Sequence, residues 1–189
     1  MYGHNSATDF LLMSAFTDIL DRMLVDIINV AEQQFGARAK NRKILPISLA
    51  SGPPVAVPYP DGSVQIQIGT TCATNIKRAC YHMAHESIHS LSIPYGVQAT
   101  VLEEGLATSF AHSYIRDHLR TEYVRSGDAH YDAARSKVEQ LLATHPDAIK
   151  ILREREPVIS HITSAQVREV YPDVSHSDAD DLAHIFCDW

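Results

Sequence analysis

Two histidines four residues apart constrain the fold of this chain more than any other feature. His85 and His89 enclose Glu86, Ser87 and Ile88. On an α-helix, side chains four positions apart lie on one face, so both imidazoles can reach a single metal ion. The glutamate after the first histidine is placed to act as a base toward a water on that metal. The pattern therefore requires a helix and indicates the chemistry of a zinc-dependent hydrolase, most simply a peptidase.

The residues around the histidines favour a helix from Thr74 to Leu91. Thr74 or Asn75 is a suitable N-cap, and Pro94 and Gly96 are expected to end the segment. The helix has an apolar side formed by Ala79, Met83, Ile88 and Leu91. The alternative interpretation is a buried helix whose histidines only form hydrogen bonds. His82, one turn before His85, either lines the site or lies outside it.

A zinc site with one open position needs a third protein ligand, and Glu103 and Glu104 compete for this role. Thr100 and Glu103 have the spacing of a capping box, in which Glu103 reaches back to the N-cap. Glu104 points about 100° further round the same helix and is free to face the metal. Gly105 is costly inside a helix, and a close approach to the metal-bearing helix would explain it. Glu104 is therefore the predicted ligand.

These residues resemble the gluzincin peptidases, in the style of the compact Peptidase MA-like and minigluzincin families. The resemblance covers about residues 60–115 and rests on the histidine motif followed by Leu102-Glu103-Glu104-Gly105-Leu106-Ala107. In these families the glutamate before the glycine is the third zinc ligand, which implies Glu104 here. Only 14 residues separate His89 from Glu104. That spacing is shorter than in the large gluzincin aminopeptidases and favours a minimal scaffold.

The resemblance implies a zincin-like fold and a mechanism. His85, His89 and Glu104 would hold Zn²⁺, and Glu86 would accept a proton from the attacking water. Gluzincins usually bring a later tyrosine or histidine to the developing oxyanion, and Tyr171 is the prediction among the candidates His130, Tyr131, His161 and Tyr171. Two other functions stay open. One is a non-catalytic gluzincin-like binding module, and the other is a metal-dependent hydrolase of a non-peptide amide.

Strands are expected before the metal-bearing helix, which gives an α+β chain with a small, mostly antiparallel sheet. The predicted strands are 43–50, 55–57 and 64–68, with a turn at 58–62. Val64, Ile66 and Ile68 alternate with glutamines, so one face of this last strand is buried. We expect a peptide substrate to add to its free edge.

The rest of the chain reads as helical. A long amphipathic helix is expected from Phe10 to Phe35, and the Glu104 helix is expected to run to about Ser126. Later helices are predicted over 129–145, 148–154, 165–171 and 177–189. We expect one domain over 1–189, with a catalytic core at 1–127 and a helical part at 128–189 that completes the cleft. Its apolar segment 185–189 either docks on the core or plugs the cleft.

Charge and cysteine content narrow the function classes. The net charge of −7 disfavours nucleic acid as a partner, because no basic patch is evident to neutralise phosphates. Charged residues interrupt the apolar stretch 10–30, which excludes a membrane-spanning helix, and no secretory signal is evident. Cys72, Cys80 and Cys187 do not form a disulfide framework, so a cytoplasmic location is expected. The expected partner is a peptide or protein substrate, and the sequence indicates no oligomeric state.

Overall fold

The chain combines several helices with one small sheet, against which the helix bearing His85 and His89 packs. A computed structural model describes residues 6–40, 42–92, 96–122 and 129–189, with the side chains of 6–14 excluded. The elements are α1 (Ser6–Phe35), β1 (Lys43–Ile44), β2 (Ser48–Ala50), β3 (Val55–Pro58), β4 (Ser63–Gly69), α2 (Ile76–Ser90), α3 (Val101–His118), α4 (Ala129–Thr144), α5 (Ala148–Arg155), α6 (Ser164–Val170) and α7 (His176–Ala183). The predicted α+β class is confirmed. The predicted boundary at 127/128 lies outside the described residues.

The sheet is mixed rather than mostly antiparallel, so that part of the fold prediction is wrong. β1 and β2 run parallel to β4, with Ile44 opposite Val64 and Leu49 opposite Ile68. β3 runs antiparallel to β4, with Ala56 opposite Ile66. The predicted strand 43–50 is split into two, because Pro46 has no N–H to donate to a ladder. Alternation along a strand carries no information about the direction of its neighbours.

β4 lies inside the sheet, which rules out substrate addition to this strand. β3 occupies one side of β4, while β1 and β2 share the other. Alternation of apolar and polar residues reports which face of a strand is buried, and Val64, Ile66 and Ile68 are indeed buried. It does not report whether the strand has a free edge. Among the described residues, β3 pairs with β4 alone and is an edge strand.

The core forms where α1, α2 and the sheet meet. α2 packs against α1 on one side and against β3 and β4 on another. Leu20 and Ile27 of α1, Ile66 of β4 and Ile88 of α2 are fully buried. Burial of each such side chain contributes about 1.5–3 kcal/mol. This packing fixes α2 on the sheet, so the rotation of the helix decides which side chains face the cluster described below.

The end of α1 is fixed by a buried arginine. The helix ends at Phe35, as predicted, before Gly36 with φ +91°. The Arg153 guanidinium of α5 donates hydrogen bonds to the carbonyl oxygens of Phe35 at 2.7 Å, Gly36 at 2.6 Å and Ala37 at 3.0 Å. These are carbonyl groups that have no partner within the helix. Arg153 therefore ties the later helices to the first one.

Two predicted helices are shorter than expected. α3 ends at His118 instead of near Ser126, which lies outside the described residues. The last helix, expected over 177–189, begins after the N-cap Ser175 and ends at Ala183. Ile185 then forms an antiparallel bridge with Thr100, so the following segment docks on the start of α3. None of the described helices is long and apolar enough to cross a membrane.

Candidate metal centre

The motif residues lie on the buried side of α2. Asn75 is the N-cap and accepts a hydrogen bond from Arg78 N at 3.1 Å, which confirms the predicted start of the helix. His85 and His89 are each 7% exposed, and Glu86 between them is 6% exposed. Buried polar side chains of this kind need partners or a ligand. The helix therefore presents two imidazoles where α2 faces α3, and it buries the carboxyl group of Glu86 beside them in the sequence.

α3 supplies the third member of the cluster. Thr100 caps this helix and accepts a hydrogen bond from Glu103 N at 3.4 Å. Glu104, in the first turn, brings its Oε2 to 3.2 Å from His85 Nε2 and its Oε1 to 3.7 Å from His89 Nε2. The two Nε2 atoms are 3.4 Å apart. His85, His89 and Glu104 thus converge, with one ligand atom from each within 4.8 Å of the others.

The spacing of these atoms suits a metal ion. Ligand atoms at about 2.0–2.1 Å from a tetrahedral zinc are separated by about 3.4 Å. The distances of His85 Nε2 from His89 Nε2, 3.4 Å, and from Glu104 Oε2, 3.2 Å, lie near that value, and His89 Nε2 lies 3.7 Å from the other carboxylate oxygen, Oε1. Two imidazoles and one carboxylate are also a donor set used by catalytic zinc sites. The cluster fits a metal ion, although its geometry alone does not choose among metals.

Two members of the cluster, His89 and Glu104, shift each other's pKa toward the charged form. Burial acts to lower the pKa of His89, but the carboxylates of Glu104 and Glu103 raise it well above its ordinary value. Burial acts to raise the pKa of Glu104, but His89 and His85 hold it well below its usual range. The carboxylate is thus ionised at neutral pH, which is the form that a metal ligand needs.

Glu103 does not complete a capping box, which corrects the predicted role of its side chain. Its Oε1 lies 2.9 Å from His89 Nδ1, and the ring donates its N–H to this oxygen. The other oxygen, Oε2, accepts a hydrogen bond from the Ser160 hydroxyl. Glu103 is 2% exposed. The sequence did not predict the contact between Glu103 and Ser160, because Ser160 lies far along the chain and has no motif around it.

The nitrogen of His85 that points away from the cluster, Nδ1, has different surroundings from the corresponding nitrogen of His89. His85 Nδ1 is buried and has no hydrogen-bond partner among the described residues. Its ring packs against Tyr131 of α4, with 5.8 Å between the centroids. Tyr131 in turn packs against Phe186, at 4.7 Å. The segment after α7 therefore docks on the core beside the cluster, and its aromatic ring supports the residue that contacts His85.

Gly105 allows α3 to approach α4, not α2 as predicted. A Cβ atom at this position would lie 2.4 Å from the carbonyl oxygen of Ala134 and 2.7 Å from Val138 Cγ2. Both contacts are far inside ordinary van der Waals distance. A glycine inside a helix does indicate a close approach, but its position in the sequence does not identify the partner. The consequence is that α4 lies close enough for Tyr131 to contact His85.

Tyr171 lies apart from these contacts. Its ring packs on His145 with centroids 4.2 Å apart, and its hydroxyl is buried without a hydrogen-bond partner in the described part of the chain. Burial raises the pKa of this phenol. His145 lines a cavity between α4 and α7, and that cavity includes no member of the metal cluster. The described contacts of Tyr171 include none with a member of the metal cluster.

The other candidates for oxyanion contact differ in their surroundings. His130 Nε2 lies 2.8 Å from the carbonyl oxygen of Phe186 and is engaged there. His161 is exposed and lies near Glu156, 3.9 Å from its carboxylate. His82 is half-buried, with its ring against Tyr81. Within the described contacts, Tyr131 is the candidate whose ring touches a histidine of the cluster.

Comparison with known proteins adds no identification. No protein-family model matches the chain, and no curated protein or solved structure matches it. The gluzincin resemblance therefore rests on the short motifs alone. The observations that bear on function are the cluster of His85, His89 and Glu104 and the surroundings of its members.

Proposed function

We propose that this protein is a zinc-dependent peptidase of the gluzincin kind. The observation that carries the proposal is the convergence of His85, His89 and Glu104 from two helices, with Glu86 next to the first ligand. The sequence motifs match the order in which gluzincins present these residues. A purely structural site would need no base beside its ligands, so the presence of Glu86 favours catalysis over a binding module.

In the proposed reaction, three residues would bind the metal ion and a fourth would transfer the proton. Bound zinc would lower the pKa of a water in its open position and polarise the substrate carbonyl. His85, His89 and Glu104 would hold the ion. Glu86 would accept the proton of the attacking water and pass it to the leaving amine. Because Glu86 is buried among α2 and its neighbours, its carboxylate would act in a site with little bulk water.

Tyr131 replaces Tyr171 as the proposed donor to the developing oxyanion. Its ring lies against His85, whereas the Tyr171 hydroxyl is buried beside His145. The ring contact brings Tyr131 to a proposed metal ligand, and its hydroxyl would donate to the negative oxygen of a tetrahedral species. We expect Tyr131→Phe to lower kcat/KM about 100-fold while zinc content stays unchanged. Steady-state kinetics with a cleaved peptide would measure the loss.

The proposed path of the substrate runs along β3. This strand has a free edge among the described residues and packs against α2, the helix that bears the two histidines. An extended peptide can add to such an edge through main-chain hydrogen bonds. Val55 is 41% exposed at this edge, so it offers apolar contact to a side chain of the peptide.

The direct test of this function is the variant Glu86→Gln. The amide has nearly the same shape but cannot take up the proton of water, so a loss of activity of about 100-fold or more is expected. Zinc content and thermal stability should stay at the wild-type level. Peptide-library cleavage read by mass spectrometry would first identify a substrate, and kinetics on it would compare the variants.

Glu139→Gln is the matched control for that test. Glu139 is an exposed residue that pairs with Arg135 on the surface of α4, so this variant should keep full activity. Near-wild-type cleavage by zinc-loaded Glu86→Gln would contradict the proposed mechanism. The absence of any cleaved peptide for the zinc-loaded wild type would contradict the assignment as a peptidase.

A further inference from the structure

One late segment of the chain contacts α3 and the residues just after α2. Residues 158–162 include a short 3₁₀ turn, Ile159–His161. The Ser160 hydroxyl donates to Glu103 of α3. The backbone N–H of Ile159, which is fully buried, donates at 3.3 Å to the hydroxyl of Ser92, just beyond the end of α2. This turn therefore joins α3 to the segment that directly follows α2.

We propose that Glu103 and Ser160 are a positioning pair for His89, and that residues 158–162 thereby set the affinity of the site for its metal ion. The inference rests on the proposed metal-dependent function and names residues that complete that site. Neither residue would touch the metal or a substrate. Both would act through the orientation of the His89 ring.

The hydrogen bond from His89 determines which nitrogen faces the cluster. A neutral imidazole carries its proton on either nitrogen, and the ring can also turn about its bonds to the backbone. With Nδ1–H held by Glu103, Nε2 points toward His85 and Glu104, where it would offer its lone pair to a metal ion that displaces its proton. Such outer partners fix the tautomer and raise the basicity of a ligating histidine.

The Ser160 hydroxyl fixes the orientation of the Glu103 carboxylate, which in turn accepts the hydrogen bond from the His89 ring. Glu103 is almost fully buried, so each of its oxygens needs a donor to offset the lost hydration. Oε1 accepts from His89 and Oε2 accepts from Ser160. Without the serine, one oxygen loses its donor, and the carboxylate is free to rotate away from the histidine. The orientation of His89 thus depends on a residue 57 positions from Glu103.

Zinc affinity, measured by competition with a chelator, tests this role without any need for a substrate. Glu103→Ala should bind zinc about 10- to 100-fold more weakly than the wild type. Ser160→Ala should show a smaller loss of several-fold. Glu103→Gln should recover most of the affinity, because its amide oxygen can still accept the Nδ1–H of His89. A purely structural role of the carboxylate would not predict this rescue.

Two control variants remove the same groups elsewhere. Ser113→Ala deletes a hydroxyl that donates to the backbone oxygen of Phe110 on α3, and Glu139→Ala deletes a surface carboxylate on α4. Both should bind zinc as the wild type does. If Glu103→Ala does not fold, the zinc affinities of Glu103→Gln and Ser160→Ala, measured by the same chelator competition, test the positioning role.

NMR of the zinc-loaded protein supplies a second readout. A slowly exchanging Nδ1–H signal of His89 is expected in the wild type and in Glu103→Gln, and it should be lost in Glu103→Ala. The positioning role is overturned if the zinc-loaded wild type binds tightly while Ser160→Ala and Glu103→Ala both match their controls. If the wild type itself does not bind zinc, the proposed function falls and this inference falls with it.

Discussion

The two histidines of the cluster lie four residues apart on one helix, yet their outer sides are built differently. The polar side consists of His89, Glu103 and Ser160, joined by hydrogen bonds. The aromatic side consists of His85, Tyr131 and Phe186, joined by ring packing. On its outer side His89 is thus held by a directional bond to a buried carboxylate, whereas the outer side of His85 is held by ring packing.

Because of this difference, we expect substitutions on the two sides to affect different properties of the protein, metal affinity on one side and stability on the other. Hydrogen bonds fix a tautomer and a ring angle, so damage to the polar side should act on metal affinity. Aromatic packing contributes mainly buried area, so damage to the aromatic side should act on stability first. The following changes test whether the two sides are separable in this way.

Phe186→Ala is expected to have the largest effect on stability. The Phe186 ring is 7% exposed and packs on both Tyr131 and His130. Its removal leaves a cavity and should lower the free energy of unfolding by about 3 kcal/mol. Urea denaturation would measure this loss. Phe186→Leu, which keeps most of the volume, should lose less.

The zinc affinity of the folded Phe186→Ala variant tests whether the aromatic side also affects metal binding. We expect it to stay within a few-fold of the wild type, because Glu103 still orients His89. A loss as large as that of Glu103→Ala would show that the aromatic side also governs metal binding, and the separation of the two sides would then be wrong.

Gly105→Ala is expected to have an intermediate effect. The new Cβ would lie 2.4 Å from the Ala134 carbonyl oxygen, so α4 would have to move away from α3. Overpacking of this kind costs about 1–3 kcal/mol, and the better helix propensity of alanine offsets up to about 1 kcal/mol. A net loss of about 1–2 kcal/mol should appear in urea denaturation.

Gly69→Ala is the control for Gly105→Ala. At Gly69 the nearest atom to a new Cβ is the Gly52 carbonyl oxygen at 3.4 Å, and φ is −64°. This variant should lose much less stability. An unchanged or raised stability of Gly105→Ala would mean that the close packing of α3 on α4 is not needed to keep Tyr131 beside His85.

Tyr171→Phe is expected to have the smallest effect. Its hydroxyl is buried without a partner among the described residues, so its removal gives up no hydrogen bond. Stability should change by less than about 0.5 kcal/mol, and peptidase activity should stay at the wild-type level. Thermal unfolding and kinetics measure both. A large loss of activity here, with none in Tyr131→Phe, would restore the oxyanion role that the sequence favoured for Tyr171.

Local signals predicted the start of α2 and its buried side well. Asn75 as a cap, the apolar residues of α2 and the histidine spacing all depend on neighbours within a few turns of one helix. The choice of Glu104 as the third member rested on its angle on the helix, on a capping box for Glu103 that the structure does not show, and on the gluzincin resemblance. Local periodicity is the signal that a sequence carries most clearly.

Features that depend on distant neighbours were not predictable in the same way. The position of β4 inside the sheet depends on β1, β2 and β3, and its own alternation reports only a buried face. Gly105 indicated a close approach but not that α4 would make it. The partners of Glu103 required the fold to bring Ser160 back to α3.

Zinc content tests the central claim most directly. After purification with limiting zinc and dialysis, mass spectrometry of the metal should find about one zinc ion per wild-type chain. His85→Ala, His89→Ala and Glu104→Ala should each lose most of it, while Glu139→Ala should keep it. A wild-type chain that retains no zinc, or a folded Glu104→Ala chain that retains one ion, would contradict the account.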